Sequence, residues 1–454
     1  MTLNNIKSVY FLGIGGIGMS AIARFFNHNH IAVAGYDRTS SPLTTELEAE
    51  GIAIHYEDNC ALIPEDIDLC VYTPAIPNDL GELADVRNRK IPLMKRSQVL
   101  GLITNAGNTI AIAGTHGKTS TTSLVSHLLK TDDAPVNAFI GGIAANYQTN
   151  LLLSESSSLF VVEADEFDRS FLTLYPKSAV ITSVDADHLD VYGDPGQLVD
   201  SFVAFSKQVS GFLLVKDHIQ SHFSNCFTYS LNNKETPYYA ENIQFVNEFY
   251  QFDLITPTIT YKGLKLGVGG LHNVENAVAA SALALNYGIS EASLRKGLAT
   301  FTGVHRRFET IIKTEKFVFI DDYAHHPTEI TACLSSIRKM YPDRRITAVF
   351  QPHLYSRTRD FADDFAASLS LADELILLDI YPARELPIEG VTSEWLLSKV
   401  NLKNKYLVAK NKLCNKLVDL NPQLVVTMGA GDIDRLIPEI RNIFIHTLNI
   451  QQDE

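Results

Sequence analysis

Ile110-Ala111-Ile112-Ala113-Gly114-Thr115-His116-Gly117-Lys118-Thr119-Ser120-Thr121-Thr122 is the stretch that decides the fold. The apolar residues 110–113 read as a buried strand, Gly114 to Gly117 as its closing loop, and the residues from Lys118 on as the first turn of a helix. A strand feeding a helix through a glycine loop is the repeating unit of an α/β domain with a parallel sheet. The run fits the end of the phosphate-loop pattern G-x-x-x-x-G-K-[ST], except that Ile112 stands where the first glycine would be. A lysine here reaches β- and γ-phosphates, the neighbouring threonine hydroxyl binds Mg²⁺, and successive N–H groups cradle phosphate. The residues expected on ATP are Gly114, Thr115, His116, Gly117, Lys118, Thr119 and Ser120. An ordinary polar turn capping a helix would not need Gly-Lys-Thr after an apolar strand.

The same alternation extends in both directions. Apolar runs at 8–12, 32–36, 69–73, 110–113, 159–163, 179–184, 317–321, 346–350, 374–378 and 424–428 read as buried strands separated by helical patterns. Polar turns near 104–108 and 302–303 divide the chain into three blocks, 1–107, 108–303 and 304–454. Residues 230–265 are more polar and aromatic and alternate like strands, which predicts an antiparallel excursion in the second block. Several runs end in glycine, acidic or histidine clusters, and ligands of parallel sheets sit beyond the carboxyl ends of strands.

At the first such end, Gly13-Ile14-Gly15-Gly16-Ile17-Gly18 is G-x-G-x-x-G, followed by a predicted helix over 19–26, with Asp37 closing the next strand where a ribose-binding acid belongs. Strand, loop, helix and acid together indicate a nucleotide diphosphate. The loop alone does not separate NAD from a nucleotide sugar. A dehydrogenase, however, does not need the second loop, and a simple ATPase does not need the first.

The bulk numbers narrow the class. The chain has 454 residues, a net charge of −14, 46% hydrophobic and 20% charged residues, a size suited to about three domains. Excess acid opposes binding to nucleic acid or an anionic membrane, but not to phosphorylated small molecules held by local backbone donors. Neither nucleic acid nor membrane is expected as a partner. Cys60, Cys70, Cys226, Cys333 and Cys414 are scattered without C-x-x-C spacing, which argues against a disulfide framework or a structural zinc site. Neither a signal peptide nor a membrane-spanning run is read, so the expected location is the cytoplasm, as a monomer or homodimer.

Glu163-Ala164-Asp165-Glu166-Phe167-Asp168 and Asp185-Ala186-Asp187-His188-Leu189-Asp190 close two further strands and suit Mg²⁺ near the phosphate loop. His272-Asn273-Val274-Glu275-Asn276 opens an alanine-rich helix, where Asn273 is either a cap or a base contact. The last block carries Arg306-Arg307-Phe308-Glu309, Asp321-Asp322-Tyr323-Ala324-His325-His326-Pro327 and Gln351-Pro352-His353-Leu354-Tyr355-Ser356-Arg357. Arginine forks suit carboxylate or phosphate. The histidines lack any accompanying zinc pattern and read as pocket lining.

These segments, in this order and spacing across nearly the whole chain, resemble the Mur ligases. The resemblance implies an α/β protein of three domains: an N-terminal Rossmann-like domain for UDP, a central P-loop ATPase domain with a mixed sheet, and a C-terminal Rossmann-like domain for the amino acid. It also implies ATP-dependent ligation of L-alanine to the lactyl carboxylate of UDP-N-acetylmuramate through an acyl phosphate. The alternatives are a related ligase adding a tripeptide to the same sugar nucleotide or, in another class, a dinucleotide-dependent oxidoreductase. Carried over by motif, Gly13, Gly15, Gly16 and Gly18, with Asp37, would hold the UDP moiety. Lys118 would hold the ATP phosphates; Thr119, Glu163 and His188 would bind Mg²⁺. His272, Asn273 and Asn276 would lie near adenine, and Arg307 and Asp322 would reach the nucleotide. Tyr323, His325, His353 and Arg357 would surround the amino acid, with Arg357 on its carboxylate. Phe167 and Ala324 depart from the family pattern without touching its acids. No carbamylated lysine is expected, because the first lysine after D-H-L-D, Lys207, comes too late.

Overall fold

The computed structural model describes residues 5–186, 189–247, 249–383 and 385–448. Three sheets form, one within each block read from the sequence. The first holds β1 (Ser8–Leu12), β2 (Ala32–Tyr36), β3 (Ala53–His55), β4 (Leu69–Tyr72) and β5 (Leu93–Lys95), in the order β3-β2-β1-β4-β5 with all neighbours parallel. Strand order reverses between β1 and β4, and that switch point is where such sheets open a crevice for ligands. The first glycine loop leaves β1 there, and its helix runs over Ile17–His28.

The second sheet has ten strands: β6 (Asn108–Ala113), β7 (Asn137–Ala144), β8 (Thr149–Leu152), β9 (Leu159–Ala164), β10 (Ser178–Ile181), β11 (Phe212–Lys216), β12 (Phe227–Ser230), β13 (Tyr238–Val246), β14 (Phe249–Ile255) and β15 (Thr260–Leu266). β6 lies between β10 and β9, parallel to both, and residues 109–113 are buried, which is why this strand reads as an unbroken apolar run. The excursion expected over 230–265 is β13 to β15, which extend this same sheet. Four residues separate β14 from β15, too few for a crossover, so those neighbours run antiparallel. β12 and β13 pair in parallel.

The third sheet, β16 (Glu309–Lys313), β17 (Val318–Asp322), β18 (Ile346–Phe350), β19 (Glu374–Leu377), β20 (Lys405–Leu407) and β21 (Leu424–Met428), runs β16-β17-β21-β18-β19-β20. It is parallel apart from the β16–β17 hairpin. The carboxyl ends of β17, β21 and β18 lie side by side, so Asp322, Met428 and Phe350 share one rung.

The chain forms two compact units: residues 1–243, 252–265 and 275–301, and residues 244–251, 266–274 and 302–454. In the first, the first and second sheets share one hydrophobic core, in which Val9 and Phe11 of β1 join Val162 and Ala164 of β9. The helix Ile17–His28 makes this possible by packing on its own sheet and on β7 and β8. Phe25 meets Phe139 at 5.8 Å between ring centroids. Beside them the buried Arg24 guanidinium donates to Glu46 (2.9 Å), Glu50 (2.8 Å) and Asn150 (2.6 Å). The Asn150 amide in turn donates to the Ile17 carbonyl (2.6 Å) and Ser20 Oγ (2.9 Å). Among the described residues no helix is long and apolar enough to cross a membrane.

Asn150 is fully buried and satisfies three groups of that helix. Asn150→Ala leaves them without their partner and is expected to cost about 1–3 kcal/mol, read as a lower melting temperature in calorimetry. An unchanged melting temperature would show that this clamp contributes nothing to stability.

Candidate active site

The second glycine loop is held from below by the end of β10. Thr115 Oγ1 and Ser183 Oγ lie 2.8 Å apart, the His116 amide donates to Ser183 Oγ at 2.9 Å, and Thr182 Oγ1 donates to the His116 carbonyl at 2.5 Å. A Cβ on Gly114 would fall 2.0 Å from Thr182 Oγ1, so only glycine fits. Gly117 takes φ +77° as it enters the helix Lys118–Thr131, a left-handed step that favours glycine. That helix has no capping side chain, which leaves its positive end open to an anion. His116 Nε2 lies 3.2 Å from Asp185. Thr119 is buried and Ser120 half-buried on the first turn. Asn276 stands against Gly117, with Oδ1 2.8 Å from the point a Cβ would take.

Lys118 is engaged within the chain. Its Nζ donates to the Gly114 carbonyl at 2.6 Å and lies 2.8 Å from Glu166 Oε2, a carboxylate with no exposed surface. Burial pushes the Glu166 carboxyl up to about 7, against the pull of Lys118. Burial opposes the charge on Lys118, but the carboxylates of Glu166, Glu163 and Asp165 outweigh it and raise its affinity for the proton. Glu163, at the end of β9, accepts from the Gly141 amide at 3.1 Å. His188 and Asp187 lie outside the described residues.

The first glycine loop lines a cavity of about 650 Å³. Gly13, Gly15, Gly16, Gly18, Asp37 and Arg96 line it on the side of the first sheet, and Glu163 and Asp165 on the side of the second. Asp37 accepts from the Gly15 amide at 2.8 Å and from the Thr39 amide at 3.3 Å. The first turn of the helix Ile17–His28 carries neither a capping side chain nor an acid.

The second compact unit gathers the remaining polar residues. Arg306 donates to the Gly429 carbonyl at 2.7 Å, and both Arg306 and Arg307 stack on the Tyr323 ring, at 5.1 and 4.7 Å. The Tyr323 and His325 ring centroids are 5.2 Å apart, those of His325 and His353 6.0 Å, and those of His353 and Tyr381 5.8 Å, a continuous aromatic row. Asp322 is buried and accepts from the Phe308 amide (2.7 Å) and the Ala324 amide (2.7 Å). Burial pushes its carboxyl up to about 7 against the nearby Arg307. Arg357 is buried in the short helix Tyr355–Asp360. His272 packs edge-on against Phe308, and burial lowers its affinity for a proton to a pKa of about 4. Asn273 donates to the Gly269 carbonyl at 2.7 Å, so it acts within its own turn.

Three family models match the chain: "Mur ligase family, catalytic domain" over residues 8–107, "Mur ligase middle domain" over 112–284 and "Mur ligase, glutamate ligase domain" over 306–431. The chain is 50% identical to the UDP-N-acetylmuramate–L-alanine ligase of Flavobacterium psychrophilum, over 97% of this chain and 99% of that protein. It is 48% identical to the enzyme of the same name from Christiangramia forsetii, over 98% and 99%. The solved UDP-N-acetylmuramate-alanine ligase of Thermotoga maritima superposes with a TM-score of 0.83 at 28% identity, covering 97% of this chain and 99% of that one. This chain belongs to the Mur ligase family. That membership sets aside the oxidoreductase reading of the first glycine loop.

Sequence reading passed over Arg96, Glu166 as the partner of Lys118, and the Thr182–Ser183 support. Arg96 carried little signal, because the strand it follows, β5, has only three residues and no periodicity to mark its end. Glu166 had none beyond its neighbours, because its pairing depends on burial.

The Glu166 proton sets a pH dependence. The folded chain holds this proton up to about pH 7, whereas the reference glutamate releases it at 4.5. The group's contribution to stability is therefore complete below the lower value and lost as pH rises through the upper one. Glu166→Gln, which does not titrate, is expected to flatten that part of the curve, measured as urea midpoints from about pH 5 to about pH 7.5. A slope identical to wild type would assign the titration to another group.

Proposed function

We propose that this chain uses ATP to join L-alanine to the lactyl carboxylate of UDP-N-acetylmuramate, in the cytoplasm. The observation that supports this most is the single cavity with the first glycine loop on one wall and Glu163 on the other, beside the phosphate loop of Lys118. A sugar nucleotide anchored by its diphosphate on the first loop points its acid toward the triphosphate. In this reading each block takes one reactant, with UDP on 1–107, ATP on 108–303 and the amino acid on 304–454.

ATP suits the central loop, where Gly114 and Gly117 keep the backbone bare and an uncapped helix end faces the phosphates. Thr119, Glu163 and His188 would hold Mg²⁺, which would neutralise charge on the phosphate oxygens. A carboxylate oxygen of the sugar attacks the γ-phosphorus. The bond from phosphorus to the β–γ bridging oxygen breaks, and ADP leaves with the electron pair. Lys118 balances the charge that develops, once phosphate competes with Glu166 for its ammonium. The neutral amine of alanine then attacks the acyl carbon. The tetrahedral intermediate expels phosphate, and the nitrogen gives its proton to a base, a role that falls to His188 or His353 by their imidazole chemistry. Arg357 takes the amino acid's carboxylate, and Tyr323, His325 and His353 shape the space around its side chain. Arg307 and Asp322 act on the nucleotide from the C-terminal block.

Phosphate release with UDP-N-acetylmuramate, ATP and a panel of amino acids tests the reading. L-Alanine is expected to exceed glycine by roughly 10- to 200-fold in kcat/KM, the discrimination one methyl group supports. Lys118→Ala is expected to lower kcat by at least about 100-fold. Equal turnover of wild type and this variant, or a preference for a tripeptide, would sink the proposal.

A further inference from the structure

Arg96 has no role in the steps given above, yet its placement is specific. It follows β5 directly and opens the helix Arg96–Thr104, at the carboxyl edge of the first sheet. Its side chain is 20% exposed and lines the cavity, whereas Arg38, the other cavity-lining arginine, is exposed. Nη2 donates to Asp165 Oδ2 at 3.0 Å, which engages one of the five N–H donors of a guanidinium. Lys95 is held in the same way by Asp168 at 2.6 Å, so two adjacent ion pairs set where the arginine stands.

The last glycine of the first loop explains the rest. A Cβ on Gly18 would lie 3.0 Å from both Cδ and Nη1 of Arg96. The absence of a side chain at Gly18 therefore makes room for the guanidinium over the first turn of the helix Ile17–His28, the turn that carries no cap and no acid. A planar fork beside a bare helix N-terminus presents two kinds of donor to one anion, and phosphate oxygens match that fork.

We propose that Arg96 binds the diphosphate of the sugar nucleotide, with Asp165 as the residue that positions its guanidinium. This rests on the reading of the cavity as a UDP-sugar site and adds a side-chain contact to the backbone cradle. Calorimetric titration of the full chain with UDP and with uridine, which lacks the phosphates, tests it. Arg96→Ala is expected to weaken UDP roughly 10- to 100-fold and uridine by no more than about twofold. Arg96→Lys should recover part of the loss, and Asp165→Asn should lose less than Arg96→Ala. In turnover, KM for the UDP-sugar should rise while KM for ATP holds. UDP affinity within about twofold of wild type in Arg96→Ala overturns the assignment, and so does a parallel loss of uridine, which marks a structural role. Intact UDP binding with weakened UDP-N-acetylmuramate moves the arginine to the sugar's acid and also overturns it. Failure of wild type to bind UDP would instead refute the cavity reading on which the inference stands.

Discussion

The first compact unit depends on burying one guanidinium. Arg24 lies on the helix that leaves the first glycine loop, and it is nearly inaccessible to solvent. A buried charge is tolerated only with partners, and Arg24 has Glu46 and Glu50 on one side and Asn150 on the other. The two glutamates come from the following helical segment, and the asparagine comes from the second sheet. Meeting those requirements presses the helix against β7 and β8, where Phe25 and Phe139 pack and the two sheets merge into one core. The glycine loop is thereby set at a defined place relative to Glu163, and the cavity they share follows from that docking.

A second constraint is electrostatic. The chain is strongly acidic, and the end of β9 with the segment after it carries Glu163, Asp165, Glu166 and Asp168, the acids proposed to lie beside bound phosphates. Left unpaired, these carboxylates would repel such ligands. Three of the four are matched: Asp165 with Arg96, Glu166 with Lys118, and Asp168 with Lys95. Asp168 and Arg169 adopt φ of +53° and +54°, so the backbone turns sharply there and sends neighbouring side chains in different directions. One short stretch thus reaches the phosphate loop and the first sheet together.

Much of this was legible in the amino-acid order. Strands buried on both faces read as continuous apolar runs, and β1, β2, β18 and β21 have the bounds their runs predicted. Both glycine loops were visible because bare backbone at a turn demands glycine at fixed spacing. β3, β5 and β20, of three residues each, were not visible, because so short an edge strand carries no periodicity. Nor was it visible that the first two blocks share a core, since an apolar helix face does not reveal which of two sheets it covers.

By itself, then, the sequence determined the α/β class, the order of three sheets, the two glycine loops and the polar residue types at strand ends. These follow from local rules of periodicity, turn geometry and side-chain type. Only the tertiary structure decided the pairings: Glu166 with Lys118, Asp165 with Arg96, Asn150 with Arg24, and Gly18 as the space for a guanidinium. Each joins residues from different elements, and the strength of a charged contact depends on burial and distance, which arise only when the elements pack.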